Sequence, residues 1–271
     1  MDERVLERMV TRSYTTVRNL RALALSAAGI FIAALIWVSF QPMFRPITAE
    51  LHVALLFLTL SVGSIIWAPL ISPLVHSCLS QRAGEEEASI VSLLRSQYKQ
   101  MGFLSSQSAM VSLIQFFLVL FIGLWKGIEA IPVVGAALFL LLSWLPALLS
   151  GLSALIFLSH LLSLFAARIS LVNTSSDFTI TKPWAFWPHE LFSDWAIRIK
   201  LVLVGLFPVC LFFVATFVWP IPSFEGALSA LAMVFRAAAF SVLAAPLFLF
   251  AIHMAIESDR YSQWLSARRV G

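Results

Sequence analysis

Charge is what this sequence has least of. Only 12% of its 271 residues are Asp, Glu, Lys or Arg, while 60% are apolar. An ordinary soluble domain carries about 25% charged and about 45–50% apolar residues. Half the usual charge cannot clothe a water-soluble globule of this size, so that class is excluded. Cysteine is almost missing as well: Cys78 and Cys210 make no disulfide framework, which excludes a small secreted scaffold. The vocabulary of catalysis is thin. There is no Gly-x-Ser-x-Gly elbow, no Gly-x-x-x-x-Gly-Lys-[Ser/Thr] loop and no Cys-x-x-Cys pair. His189-Glu190 begins like a zinc-protease motif, but Ser193 stands where its second histidine belongs. His52, His76, His160 and His253 have no ligand spacing, and the adjacent carboxylates Glu85, Glu86 and Glu87 cannot share one helix face. No catalytic residue, metal site or cofactor is expected in this chain.

What is abundant is aromatic and aliphatic: 23 Phe, 9 Trp and long uninterrupted apolar runs. A bilayer core about 30 Å thick takes roughly 20 such residues per helix. The runs are Ala22–Phe40, Ala54–Leu74, Ala109–Trp125, Ile131–Ala167, Leu201–Trp219 and Ala227–Ile256. Alternating strands of a barrel would not give continuous runs. The fourth run is long enough for two spans, yet no polar turn divides it. Pro146 and Gly151 either kink one helix or split off a short outer segment.

The distribution of base supports six crossings. With both ends cytoplasmic, 15 of the 18 Lys and Arg residues face inward, leaving only Arg45, Lys126 and Arg236 outside. A seventh span would flip everything downstream of it and even out that split, against the positive-inside rule. The expected architecture is therefore an all-α integral membrane protein with six transmembrane helices and cytoplasmic N- and C-termini, a single domain spanning 1–271. Its first span is not a cleavable signal, because acidic residues Asp2, Glu3 and Glu7 precede a 19-residue core. The bases are spread over four inner segments without a recognition module, so nucleic acid is not a partner.

Segments between the runs carry pattern. In residues 1–21, Leu6, Met9, Val10, Val17 and Leu20 recur at helical spacing with Arg4, Arg8, Arg12 and Arg18 on or near the other face. That fits an amphipathic helix in the inner interface, in contact with membrane lipids. In the inner loop 82–103, Glu85–Glu87 precede Ile90, Leu94, Tyr98 and Met101 at helical spacing. Acids in a first turn suit the positive end of a helix dipole, with Arg95 and Lys99 toward the other end. Such a helix either docks into a groove on a cytoplasmic partner or is a solvated loop helix. Trp184, Trp187, Phe192 and Trp195, with Pro183 and Pro188, predict an interfacial elbow before the fifth span, or a platform that grips lipid or substrate. A short re-entrant segment at 227–235 would leave 237–256 as the last span and put Arg236 at its outer end. Arg236 then snorkels or lines a translocation path, and His160 is either a packing residue or a relay in that path.

Gly84-Glu85-Glu86-Glu87-Ala88-Ser89-Ile90-Val91-Ser92-Leu93-Leu94 resembles the Gly-Glu-x-Glu-x-Gly-Thr-x-x-x-Leu-Leu run of type-2 ABC exporter permeases. Gly84, Glu85, Glu87, Leu93 and Leu94 match, allowing one residue of slack before the leucines. Ser89 and Ile90 replace Gly-Thr, and Tyr98 stands where a proline is usual. Trp187-Pro188-His189-Glu190-Leu191-Phe192, then Arg198 and Leu206-Phe207-Pro208-Val209, is similar to the elbow and fifth span of one branch. The resemblance implies a permease subunit in a bacterial inner membrane, paired with an identical or sister chain and driven by separate ATP-binding subunits. Gly84, Glu85, Glu87, Ile90, Leu93, Leu94 and Tyr98 would then form the coupling helix that receives their motion. The competing expectations are a membrane enzyme acting on lipid or isoprenoid substrates, and a non-catalytic assembly factor.

Overall fold

The computed structural model describes residues 7–11, 19–40, 48–83, 89–129 and 142–172, then 227–270, with single positions at 131, 135, 204 and 207. The fifth predicted span, the tryptophan elbow and most of the N-terminal interfacial helix lie outside these residues. Within that last element, residues 7–11 are helical and Met9 is buried. Every regular element among the described residues is helical: α1 (Leu20–Phe40), α2 (Ala49–Trp67), a 3₁₀ turn (Ala68–Leu70) and α3 (Ile71–Ala83), followed by α4 (Ile90–Ser96), α5 (Tyr98–Glu129), α6 (Leu145–Val172) and α7 (Ala227–Val270).

Among the described residues, four stretches are long and apolar enough to cross a membrane: Leu20–Ser39, Ala49–Gln81, Tyr98–Glu129 and Ala230–Glu257, joined by the shorter apolar stretch Leu145–Leu161 of α6. The second stretch runs through α2, the 3₁₀ turn and α3 as one crossing. Before α6 the chain turns at Ser143–Trp144, so Pro146 falls in the first helical turn. Its missing N–H costs nothing there.

Three features differ from the sequence expectation. The first turn of α4 carries no acid, because Ser89 is its N-cap and the helix starts at Ile90, after the glutamates. Ser89 Oγ accepts the Ser92 N–H at 3.2 Å, the ordinary role of serine at an N-cap. The stripe from Ile90 to Met101 is also divided, since the chain turns at Gln97 (φ −101°, ψ 6°) and Tyr98 opens α5. At the other end of the chain, α7 passes through Arg236 without a break, so no re-entrant turn forms after Phe235. Ala227–Ala239 holds no Gly or Pro and is rich in alanine, the strongest helix former, so nothing in that stretch would turn it back.

Packing fixes the direction of each helix. Trp37 of α1 meets Phe240 of α7, ring centroids 6.1 Å apart, and Trp67 meets Phe248 edge-on at 5.3 Å. Gly29 of α1 lies against Leu70 and Trp67, and Gly63 of α2 lies against Ala33. Small residues at such crossings let backbones approach where lipid supplies no hydrophobic drive to associate. Together these contacts make α1 antiparallel to both α2 and α7. They set Arg236 one turn beyond Phe240, level with the last turn of α1. At the opposite end, Ala22, Ile71, Leu74, Leu104, Leu164 and Ile256 belong to one buried core. Away from that core, α5 and α6 present exposed Phe117, Leu120, Leu124, Leu148 and Leu155, a surface suited to lipid. The core end gathers the start of α1, α3, α4, the start of α5 and the C-terminal half of α7. There α6 also ends, whereas α7 begins at the far end.

Asn19 ties this end together. Its Oδ1 accepts the Ala22 N–H at 3.0 Å, capping α1. Its Nδ2 donates to Ser77 Oγ and Gln81 Oε1 on α3, both at 3.2 Å, and the side chain is only 3% exposed. Asn19→Asp keeps the cap acceptor and loses both donors, whereas Asn19→Ala loses all three bonds. Thermal unfolding in detergent is expected to rank Asn19→Ala below Asn19→Asp and both below the native chain, with a loss of about 2 kcal/mol for alanine from cap and buried hydrogen bonds combined.

Candidate functional site

Two regions carry polar chemistry, and both lie on α5. The first is the junction of α4 with α5 at the core end. Leu93 is the buried anchor of α4, 5% exposed, with Ile90 and Leu94 half-buried beside it. Val91 (75% exposed) and Tyr98 (62% exposed) stand out from the bundle. Ser92, Arg95 and Lys99 are exposed with them. Of the residues expected to couple to a partner, Ile90, Leu93 and Leu94 therefore hold α4 to the bundle, and Tyr98 is on its outer surface. Val91 is an exposed apolar residue of α4 that the sequence reading did not single out. Ile90 and Leu94 of the expected stripe pack inward, while Tyr98 of the same stripe does not. Gly84, Glu85 and Glu87 lie outside the described residues, as do Trp184, Trp187, Phe192 and Trp195.

Hydrogen bonds brace the junction from below. Ser72 Oγ on α3 lies 2.9 Å from Gln97 Oε1 and 2.5 Å from Gln100 Oε1. One hydroxyl proton serves one of these oxygens, and the other amide is placed to donate back through its NH2 group. Gln97 is the turn residue between α4 and α5, so α4 is fastened to α3 through its own elbow.

The second region is a seam of uncharged polar side chains between α5 and α6. Ser108 Oγ and His160 Nε2 are 3.2 Å apart. One heptad further along, Gln115 Nε2 donates to the Ser153 carbonyl at 2.8 Å, and Ser153 Oγ donates back to Gln115 Oε1. Ser112 Oγ closes onto the Ser108 carbonyl at 2.8 Å. Ser108, Gln115 and Ser153 are fully buried, with His160 nearly so. Both pairs keep one antiparallel register, because Ser108 and Gln115 are seven residues apart and so are Ser153 and His160. The apolar contacts Leu104 with Leu164 belong to the same face. Polar groups so placed in lipid satisfy each other and fix register.

The two residues expected to line a path are not brought together. His160 pairs with Ser108 in the half of the bundle nearer α4. Arg236 is half-buried toward the far end, within the apolar stretch Ala230–Glu257. Among the described residues, no three His, Cys, Asp or Glu side chains gather to hold a metal ion. Beyond Arg236's level, Trp125 Nε1 and Lys126 Nζ donate to the two carboxylate oxygens of Glu129 at 2.8 and 3.0 Å, an anchor at the end of α5. The heptad spacing of Ser108 with Gln115 was visible in the sequence. Its meaning was not, because serine and glutamine in an apolar run reveal nothing until the facing helix and its register are known.

No protein-family model matches the sequence, and neither a curated protein nor a solved structure matches it.

A double-mutant cycle isolates the polar pair nearer α4. Ser108→Ala and His160→Ala are expected to be non-additive in detergent unfolding, with a coupling of about 0.6–1.7 kcal/mol, the range for hydrogen bonds between membrane helices. Additive losses would mean that the two side chains do not depend on each other.

Proposed function

We propose that this chain is the membrane-spanning subunit of an ATP-driven exporter in the bacterial cytoplasmic membrane. Two copies, or one copy and a sister chain, enclose the path, and separate ATP-binding subunits drive it. The observation that carries this reading is α4. It is a two-turn helix hung between two crossings, anchored inward by Leu93 and showing Val91, Tyr98, Arg95 and Lys99 outward. An apolar pair flanked by cations suits an apolar groove with an acidic rim on a partner protein.

Further support comes from direction. α4 shares its end of the bundle with the start of α1 and the C-terminal half of α7, which agrees with a cytoplasmic face holding both termini and most of the base. α6 ends at that face and α7 begins at the other, which supports one further crossing between Val172 and Ala227. Such a crossing agrees with the six spans expected from charge. The chain carries no nucleotide-binding loop, so the energy source belongs to another subunit. The uncharged seam between α5 and α6 and the lipid-suited outer surface agree with an apolar route for cargo rather than an ion-coupled one. An enzyme acting on lipid would need titratable groups at one level of the membrane. Of the candidates for such chemistry, His160 stands in the α5–α6 seam, and His189, Glu190 and Asp194 lie outside the described residues.

Affinity purification of the tagged chain in mild detergent tests the reading. An ATP-binding subunit is expected to co-purify in stoichiometric amount. Val91→Glu combined with Tyr98→Glu is expected to abolish that association, and Arg95→Glu with Lys99→Glu to weaken it, with unchanged gel-filtration profiles. Purification without an ATPase, or association indifferent to these substitutions, contradicts the reading.

A further inference from the structure

The second crossing is not one helix. Its apolar stretch Ala49–Gln81 is interrupted by the 3₁₀ turn Ala68–Leu70, at the level where α1, α5 and α7 all approach. Proline is the cause. Pro69 has no N–H, so the Ile65 carbonyl loses the donor that the fourth residue along would supply. In water a solvent molecule replaces such a donor, but lipid has none to give. Ser105 Oγ on α5 donates to Ile65 O instead, at 3.3 Å. The chain then tightens, with the Ala68 N–H bonding Ser64 O and the Ile71 N–H bonding Ala68 O.

The two sides of this turn are held in different ways. On the outer side, Phe57 of α2 packs on Phe157 of α6 at 5.7 Å, and Gly63 lies on Ala33. On the inner side, α3 is tied by hydrogen bonds to the start of α1, through Ser77, Gln81 and Asn19, and to the α4–α5 elbow, through Ser72, Gln97 and Gln100. At the turn itself the neighbours are smooth. Ala68 and Pro69 are buried, Trp67 rests edge-on against Phe248, and Gly29 leaves room for Leu70 that any Cβ would take away. Ser105 supplies the one hydrogen bond from a neighbouring helix seen at this point.

We propose that Ala68–Leu70 is a hinge in the second crossing, on which α3 tilts together with the α4–α5 elbow while α2 stays with α6. A displacement of α4 reaches α3 through Gln97 and Ser72, and Ser105 supports the freed carbonyl at the pivot. Mid-helix 3₁₀ turns and proline sites are where helices bend, and the side-chain hydrogen bonds of α3 to the elbow couple that half to α4. The hinge belongs to this chain alone and stands whether or not α4 meets an ATPase.

Pulsed electron paramagnetic resonance on the full chain in lipid nanodiscs tests it. Spin labels go on Val53→Cys in α2 and Ser80→Cys in α3, with Cys78→Ala and Cys210→Ala in the background. The expected distance distribution has two populations. Pro69→Ala restores the backbone donor and is expected to remove the second population. Ser105→Ala withdraws the support and is expected to change the ratio of the two, while Ser105→Thr keeps a hydroxyl and the native ratio. The serine pair keeps the test decisive if Pro69→Ala does not fold. A single narrow distribution in the native background overturns the hinge, as does one that Pro69→Ala and Ser105→Ala both leave unaltered.

Discussion

A peptide carbonyl inside a bilayer has no water to turn to, and this bundle is arranged around that fact. Where Pro69 strips the Ile65 carbonyl of its donor, Ser105 is placed to replace it. Where α1 begins with unsatisfied N–H groups, Asn19 caps it, and its remaining donors hold α3. Four of the polar side chains in the interior, Ser108, Gln115, Ser153 and His160, answer one another across α5 and α6. Each of these contacts satisfies a group and fixes the position of one helix on another. The hydrophobic effect contributes little to that second task within lipid, so hydrogen bonds and close crossings at Gly29 and Gly63 determine the architecture.

The result is a bundle with two unlike ends. At one, α1, α3, α5, α6 and α7 share a dense core of Ile71, Leu74, Leu104, Leu164 and Ile256, and α4 hangs beneath it. Toward the other, the helices show large apolar side chains outward. Force applied to α4 would therefore enter at the stiff end and pass through Gln97 and Ser72 to the jointed second crossing. The proposed exporter role and the proposed hinge both draw on this arrangement, but they depend on different residues: Val91 and Tyr98 for the first, Pro69 and Ser105 for the second.

Much of the helical layout was legible in the residues. The runs starting at Ala22, Ala54 and Ala109 became α1, α2 with α3, and α5, because lipid-length apolar stretches have no alternative to the helix. Helix ends were harder. α5 begins at Tyr98, about 16 Å of helix before its apolar run, since helices continue past the hydrocarbon wherever nothing stops them. Residues 227–235, expected as a re-entrant segment, belong to one unbroken helix: α7 has 44 residues, about 66 Å, longer than a bilayer core. Pro69 lay in plain view as a helix breaker within the second run, but its consequence depended on Ser105, 36 positions away in sequence. For α4, periodicity located a helix and could not say which stripe faced the bundle. Leu93 packs and Val91 does not, a distinction made by the position of α3 and the elbow at Gln97. The seam between α5 and α6 escaped for a related reason: uncharged polar residues in an apolar run are silent until two helices are set in register.

The orientation of the bundle is the claim on which the functional reading rests, and cysteine accessibility measures it directly. In a chain with Cys78→Ala and Cys210→Ala, a single cysteine is placed either at Val91 on α4 or at exposed Ile131, just past the far end of α5. A membrane-impermeant maleimide added to intact cells is predicted to label Ile131→Cys, and to reach Val91→Cys only after the membrane is opened. Labelling of Val91→Cys from outside, with Ile131→Cys protected, would place α4 on the wrong face and contradict the exporter reading at its base.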